Sequence, residues 1–278
     1  MRLSPAGQRF YQEVRKADGR INLAAAALYI AQEEYWDMDP KRYLEKLDDM
    51  AADVRSRLPK RRYPLKVIET INHYLFQELN FSGNSLDYYN PDNSCLNCVI
   101  DRRLGIPITL SLVYLEVAHR IRFPMVGIGM PGHFLIRPVV DEMEIFVDPF
   151  NQGEVMFIAD CKERFESIQN AHGSQVPWQD EFLSGVLPKP FLARILMNLK
   201  RVYLRLEAYD RAIATLDKLL LLSPRQPYEV RDRGLLHYEL KNYDLAKQDL
   251  EGYLRSHPRA PDGKTIQQIL KRIDLPKG

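Results

Sequence analysis

Cysteine is scarce, three residues in 278. So small and odd a count builds no disulfide framework, and free thiols fit a cytoplasmic home. Long apolar runs are missing too. The densest, Ile106 to Ala118, falls short of the roughly 18–20 residues that cross a bilayer, and it carries Thr109, Ser111 and Glu116. The opening residues, MRLSPAGQRFYQEVRK, contain no apolar secretory core, so no membrane partner is expected. A Gly-rich phosphate loop, HExxH and G-x-S-x-G are absent, which removes the common signatures of nucleotide, zinc-protease and serine-hydrolase chemistry. Charge of one sign is never concentrated. Residues 188–278 carry 18 Lys and Arg against 11 Asp and Glu, but the two signs alternate and form no block of five or six. That is a solvated helical surface, not a nucleic-acid footprint.

What is present is an ordinary folding composition, 45% apolar and 27% charged, in a chain long enough for about two domains. Three zones follow from periodicity. Residues 1–90 read as helical: Asn22 to Tyr35 repeats apolar residues at helical spacing, Asp39-Pro40 supplies an N-cap and first-turn proline, and Leu65 to Leu79 forms a further apolar-faced segment. Residues 91–187 hold a helix, Ile108 to Arg122, apolar on nearly every face and therefore central. Three short strands follow, at Met125–Met130, His133–Pro138 and Glu144–Phe150. Short connections make the sheet antiparallel. LPKP, Leu187 to Pro190, marks the boundary to a helical zone, 188–278.

That last zone repeats itself. Residues 191–224 and 225–258 are each 34 long, and Leu206, Tyr209, Ala212, Leu216, Leu220 and Pro224 return as Leu240, Tyr243, Ala246, Leu250, Leu254 and Pro258. A small alanine at a fixed place lets paired helices approach, and the closing proline stops the second helix. The pattern resembles tetratricopeptide (TPR) repeats, with a helix from Lys264 to Ile273 as cap.

One constellation has catalytic form. His133 follows a Pro-Gly turn and Asp148 ends the next strand, so neighbouring antiparallel strands bring an imidazole and a carboxylate together, the carboxylate fixing the tautomer. A nucleophile belongs at the start of the central helix, where the helix dipole lowers a thiol pKa. Pro107 to Ser111 stand there, and none is cysteine.

The runs NSCLNCVIDRRLGIPITLSLVYLEVAHRI, GMPGHFLIRP and VDPFNQG, with FQELNFSGNSLDYYNPDNS and DPKRYLEKLDDMA upstream, resemble the SirB-type branch of the transglutaminase-like superfamily over residues 20–165. The resemblance implies an α+β, papain-like core, with a buried helix on a small antiparallel sheet, followed by an all-α TPR domain. It places His133 and Asp148 at the histidine and aspartate positions. The superfamily cysteine has no counterpart at the helix start. Thr109 and Ser111 are the nearest nucleophilic atoms, and Cys98, in a C-x-x-C with Cys95, is a displaced alternative. Serine and threonine need strong base activation. Thr109 also reads as a helix cap. A zinc site at Cys95 and Cys98 needs two further ligands that the sequence does not supply, so no metal and no cofactor is expected. Asp101, Arg102 and Arg103 read as a local salt-bridge cluster, with Asp87, Asp92 or the region of Asp148 as partners. His73, His119, His172, His237 and His257 read as structural or surface residues.

Two functions remain. The favoured one is a transglutaminase-like/TPR interaction or regulatory module that has lost its thiol. It would bind an acidic protein or peptide in a groove formed by Asn198, Arg201, Arg205, Asp232, Arg233 and His237. The alternative is an amide-directed hydrolase or acyltransferase using His133, Asp148 and a Thr, Ser or displaced Cys nucleophile.

Overall fold

The computed structural model describes residues 3–140, 144–173 and 176–274, with only the backbone of His172. The chain divides into two compact units, Ser4–Ile195 and the residues from Leu196 onward.

The first unit begins with α1 (Pro5–Val14), α2 (Leu23–Ala31), α3 (Pro40–Arg57) and α4 (Pro64–Asn72). Their starts are set by local chemistry. Ser4, Asn22 and Asp39 accept from the free amides of Gly7, Ala25 and Lys41, while Pro5, Pro40 and Pro64 occupy first turns where no N–H is needed. The expected single segment from Leu65 to Leu79 is broken in character, because residues His73–Glu78 widen into a π-helical turn. Widening there buries three consecutive side chains, Tyr74, Leu75 and Phe76, which an α-helix would splay around its axis.

A short parallel pair, β1 (Ser82–Gly83) with β2 (Leu104–Gly105), brackets α5 (Leu96–Arg102) and leads into α6 (Pro107–Arg120). α6 is the expected central helix. It packs against α2, α3 and α5, and also against β3 (Met125–Ile128) and β4 (Leu135–Pro138). β5 (Phe146–Asp148), β6 (Glu154–Met156), α7 (Ile158–His172) and β7 (Gly185–Val186) complete the unit. The antiparallel sheet has the order β6-β5-β4-β3-β7, with Ile128 opposite Leu135, Ile136 opposite Val147 and Asp148 opposite Glu154. α7 closes one face through Cys161 and Phe165, which bury with Leu135, Phe146 and Met156.

Two expectations need correction. His133 does not open a strand. It sits in the turn, its amide donating to Met130 O at 3.1 Å, and β4 starts at Leu135. Arg194 explains the delay, since Nη2 donates to both Met130 O and His133 O and so occupies carbonyls a strand partner would use. LPKP is not a break either. Pro188 and Pro190 lie in the first turn of α8 (Pro188–Arg205), and the division between units falls inside that helix.

The second unit continues with α9 (Tyr209–Leu222), α10 (Pro227–Glu239), α11 (Tyr243–Ser256) and α12 (Gly263–Asp274). The 34-residue repeat is geometric as well as sequential. Glu207 and Lys241, one period apart, both take left-handed backbone (φ 54° and 61°) just before α9 and α11. Ala212 and Ala246 are fully buried. Gly234 does similar work in α10, where an added Cβ would lie 2.9 Å from Leu250. α12 caps the array through Ile266, which buries with Leu250 and Tyr253. Among the described residues, no helix is long and apolar enough to cross a membrane.

Candidate functional site

His133 and Asp148 meet. His133 Nε2 lies 2.7 Å from Asp148 Oδ2, and both residues are buried. Two glycines make the approach. Gly132 (φ 79°) turns the chain into His133, and a Cβ there would fall 2.5 Å from Ile168 Cγ2. Gly153 (φ 76°) turns β5 into β6, where a Cβ would fall 2.3 Å from Asn72 Oδ1. Its carbonyl accepts from Asn72 Nδ2.

Asp148 is saturated with donors. Oδ1 accepts from the amides of Phe150 and Asn151. Oδ2 accepts from His133 Nε2, from Asn151 Nδ2 at 2.8 Å and from Arg164 Nη1 at 3.1 Å. Burial pushes this carboxyl up, but the hydrogen bond and charge of His133, the Asn151 amide and the Arg164 charge outweigh it and hold it below the usual carboxylate range. Arg164 also reaches Glu154 at 2.8 Å. The aspartate therefore faces a second cation, Arg164, besides the imidazole. In a dyad built to stabilise an imidazolium, that duty falls on the carboxylate alone.

The helix start is committed elsewhere. Thr109 Oγ1 donates to Asn93 O at 2.6 Å and accepts from Ile106 N at 3.1 Å, with no exposure. It is a cap and a tether. Fully buried Asn93 in turn donates to Asp87 O and Tyr88 O and accepts from Asn84 Nδ2, which fixes the loop from Asn84 to Asn93. Tyr88 packs edge-on against Phe150, and Phe150 edge-on against His133. A chain of contacts through this loop thus links Thr109 to His133. Thr109→Val strands two buried polar groups and should cost about 2–3 kcal/mol in urea unfolding, with Thr109→Ser near wild type.

Residues 41–197 match the family model described as the transglutaminase-like superfamily. The chain belongs to that superfamily. Residues 199–271 match a tetratricopeptide-repeat model. A UPF0162 protein of Xylella fastidiosa is 40% identical over 246 residues, 87% of this chain and 86% of its own. A UPF0162 protein of Vibrio cholerae is 27% identical across 92% of both chains. F-box only protein 21 of Mus musculus is 36% identical over 105 residues, 35% of this chain and 17% of that protein. No solved structure matches the chain.

In this transglutaminase-like unit none of the described nucleophile candidates is hydrogen-bonded to the ring. Among the described residues, Asp148 is the one side chain hydrogen-bonded to the His133 imidazole. Ser111 Oγ is buried and finds no described partner. Cys98 is half-buried and shares a hydrogen bond with Tyr35, and burial raises its thiol pKa despite that bond. Cys95 is buried and pushed up further. Cys161 lies within electrostatic reach of Asp148, but burial first, then the charges of Asp160 and Asp148, raise its thiol to about 12. Asp101 pairs with Lys46 and Tyr43, and Arg102 with Asp92 at 2.9 Å. No described group of three or more His, Cys, Asp or Glu is arranged to hold a metal ion.

Three residues of the expected TPR groove are paired or buried within the repeats. Arg233 is walled in by Asp249 (2.7 Å, twice) and Asp217 (2.6 Å). Asp232 accepts from Lys200 and Arg231. His237 is buried, its pKa lowered mainly by that burial. Arg233 and Asp232 tie α10 to α9, α11 and α8, and His237 Nδ1 is buried without a hydrogen-bond partner among the described residues. Asn198 is half-buried, and Arg201 and Arg205 are exposed.

Sequence reasoning missed Arg164, Arg194, Asn93 and Asn151. Only Asn151 left a local trace, as an aspartate two residues before Phe150 and three before Asn151 forms an Asx turn across Pro149.

Proposed function

We propose that this transglutaminase-like/TPR protein is a non-catalytic, cytoplasmic interaction or regulatory module in which His133 and Asp148 are kept for architecture. The observation that carries this reading is that the one described side-chain hydrogen-bond partner of the imidazole is an aspartate that also pairs with Arg164. A hydroxyl nucleophile needs a base in contact with it, and Thr109 gives its proton to Asn93 O instead. The partner is a protein or acidic peptide, met by exposed basic residues of the repeats such as Arg201.

The amide-directed alternative requires a thiol or hydroxyl activated by His133. Iodoacetamide labelling of the full chain, read by peptide mass spectrometry, tests the thiol form of that alternative. His133→Gln keeps a donor for Asp148, so the fold survives the change. Slow Cys98 alkylation at the same rate in this variant is expected. A fall of about tenfold or more would show an imidazole-activated thiol and overturn the proposal.

A further inference from the structure

Beyond the groove first expected, the second unit contains an open pocket of about 380 Å³ at the end of α11, lined by Tyr228, Ser256, His257, Pro258, Arg259, Ala260 and Pro261. Its size falls in the range of small-ligand sites. From its walls we propose that it binds a planar aromatic anion.

The aromatic part follows from the rings. Tyr228 is 50% exposed although Arg231 covers it, with the guanidinium 5.2 Å from the ring centre. His257 lies 6.1 Å from Tyr228 at 52° and is backed by buried Tyr253, parallel to within 6° at 5.9 Å. Ser256 Oγ donates to Tyr253 O and meets His257 Nδ1 at 3.2 Å, which holds the imidazole in place. Pro258 and Pro261 stiffen the loop, and backbone bonds from Ala260 N to His257 O and from Gly263 N to Ala260 O close it. The rings are thus held before any ligand arrives, so ordering them costs little.

The anionic part follows from the charges. Arg231, which lies over the Tyr228 ring and is not among the lining residues, is paired with Asp232 and Asp262. Asp262 takes Arg231 Nη1 on one oxygen and the Tyr253 hydroxyl on the other. Arg259 is exposed and has no ion-pair partner among the described residues. The unspent charge lining the cavity is therefore positive. A cationic guest, which aromatic walls would otherwise suit, meets the charge of Arg259. A bare inorganic anion would find one guanidinium and a mostly apolar wall. A flat ring bearing a carboxylate satisfies both features. This inference stands independently of the reading of His133.

Titration calorimetry of the full chain with indole-3-acetate tests it. Binding at or below about 1 mM is expected, with the neutral indole-3-acetamide weaker by about tenfold. Arg259→Gln, at an exposed position whose loss leaves the fold intact, should remove that preference and leave amide binding unchanged. Tyr228→Leu should weaken both ligands. A short peptide ending in tryptophan, with a free or amidated C-terminus, separates the sources. Tighter binding of the free-acid peptide than of indole-3-acetate assigns a protein terminus, and weaker binding assigns a small molecule; either upholds the site. Absence of binding at concentrations about tenfold higher, or affinity indifferent to Arg259→Gln, would overturn it.

Discussion

Asp148→Ala lowers the stability of the first unit by about 3–5 kcal/mol in chemical denaturation, the scale of breaking a buried charged network by deleting one member. Five donors lose their acceptor at once: two amides, the Asn151 side chain, the His133 imidazole and the Arg164 guanidinium. Arg164 retains Glu154, but the turn from β5 to β6 loses the group that organises it. Asp148→Asn keeps Oδ1 for the turn and gives up the charge, so it should lie between wild type and Asp148→Ala. A loss under about 1 kcal/mol for Asp148→Ala would mean that the network is ornamental.

The same carboxylate sets a pH dependence. Its pKa in the folded chain lies below the ordinary value of about 3.9, so its contribution is complete above that value and fades as pH falls through the lower, folded pKa. Wild type should lose stability on acidification through this window, and Asp148→Asn should lose measurably less across it. Equal slopes in acid titrations followed by circular dichroism would contradict the assignment.

Arg233→Leu destabilises the repeat unit by about 3 kcal/mol, because it leaves Asp249 and Asp217 facing each other without their cation. The first repeat shows the other solution to the same position. One period earlier stand Leu199 for Arg233 and Thr215 for Asp249, both buried without an ion triad. Arg233→Leu with Asp249→Thr should therefore recover most of the loss, since only the more exposed Asp217 remains to be rehydrated. A double variant no better than the single would show that the arginine acts through packing.

The local rules were legible wherever a residue acts on its own neighbours. Asn22 and Asp39 cap helices because a short polar side chain reaches the next free amides, and the chain around them announces it. The 34-residue period was readable because each repeat solves the same packing problem, down to the left-handed residues Glu207 and Lys241. α6 was recognisable as central because only a helix surrounded by protein can be apolar on all sides. The His133–Asp148 pairing was also within reach, since two adjacent strands make it almost a local event.

What the sequence determined by itself was therefore the helices α2, α3 and α6, the three central strands of the sheet, the repeat and the pair of side chains at the centre of the site. The tertiary structure alone decided what that pair is worth. Arg164 comes from a helix 16 positions beyond Asp148, Arg194 reaches back 64 positions to the His133 turn, and Thr109 is claimed by a carbonyl 16 positions before it. Partners so far apart leave no mark in any local window. Each joins because burial forces charged and polar groups to find a partner among whatever the fold brings near.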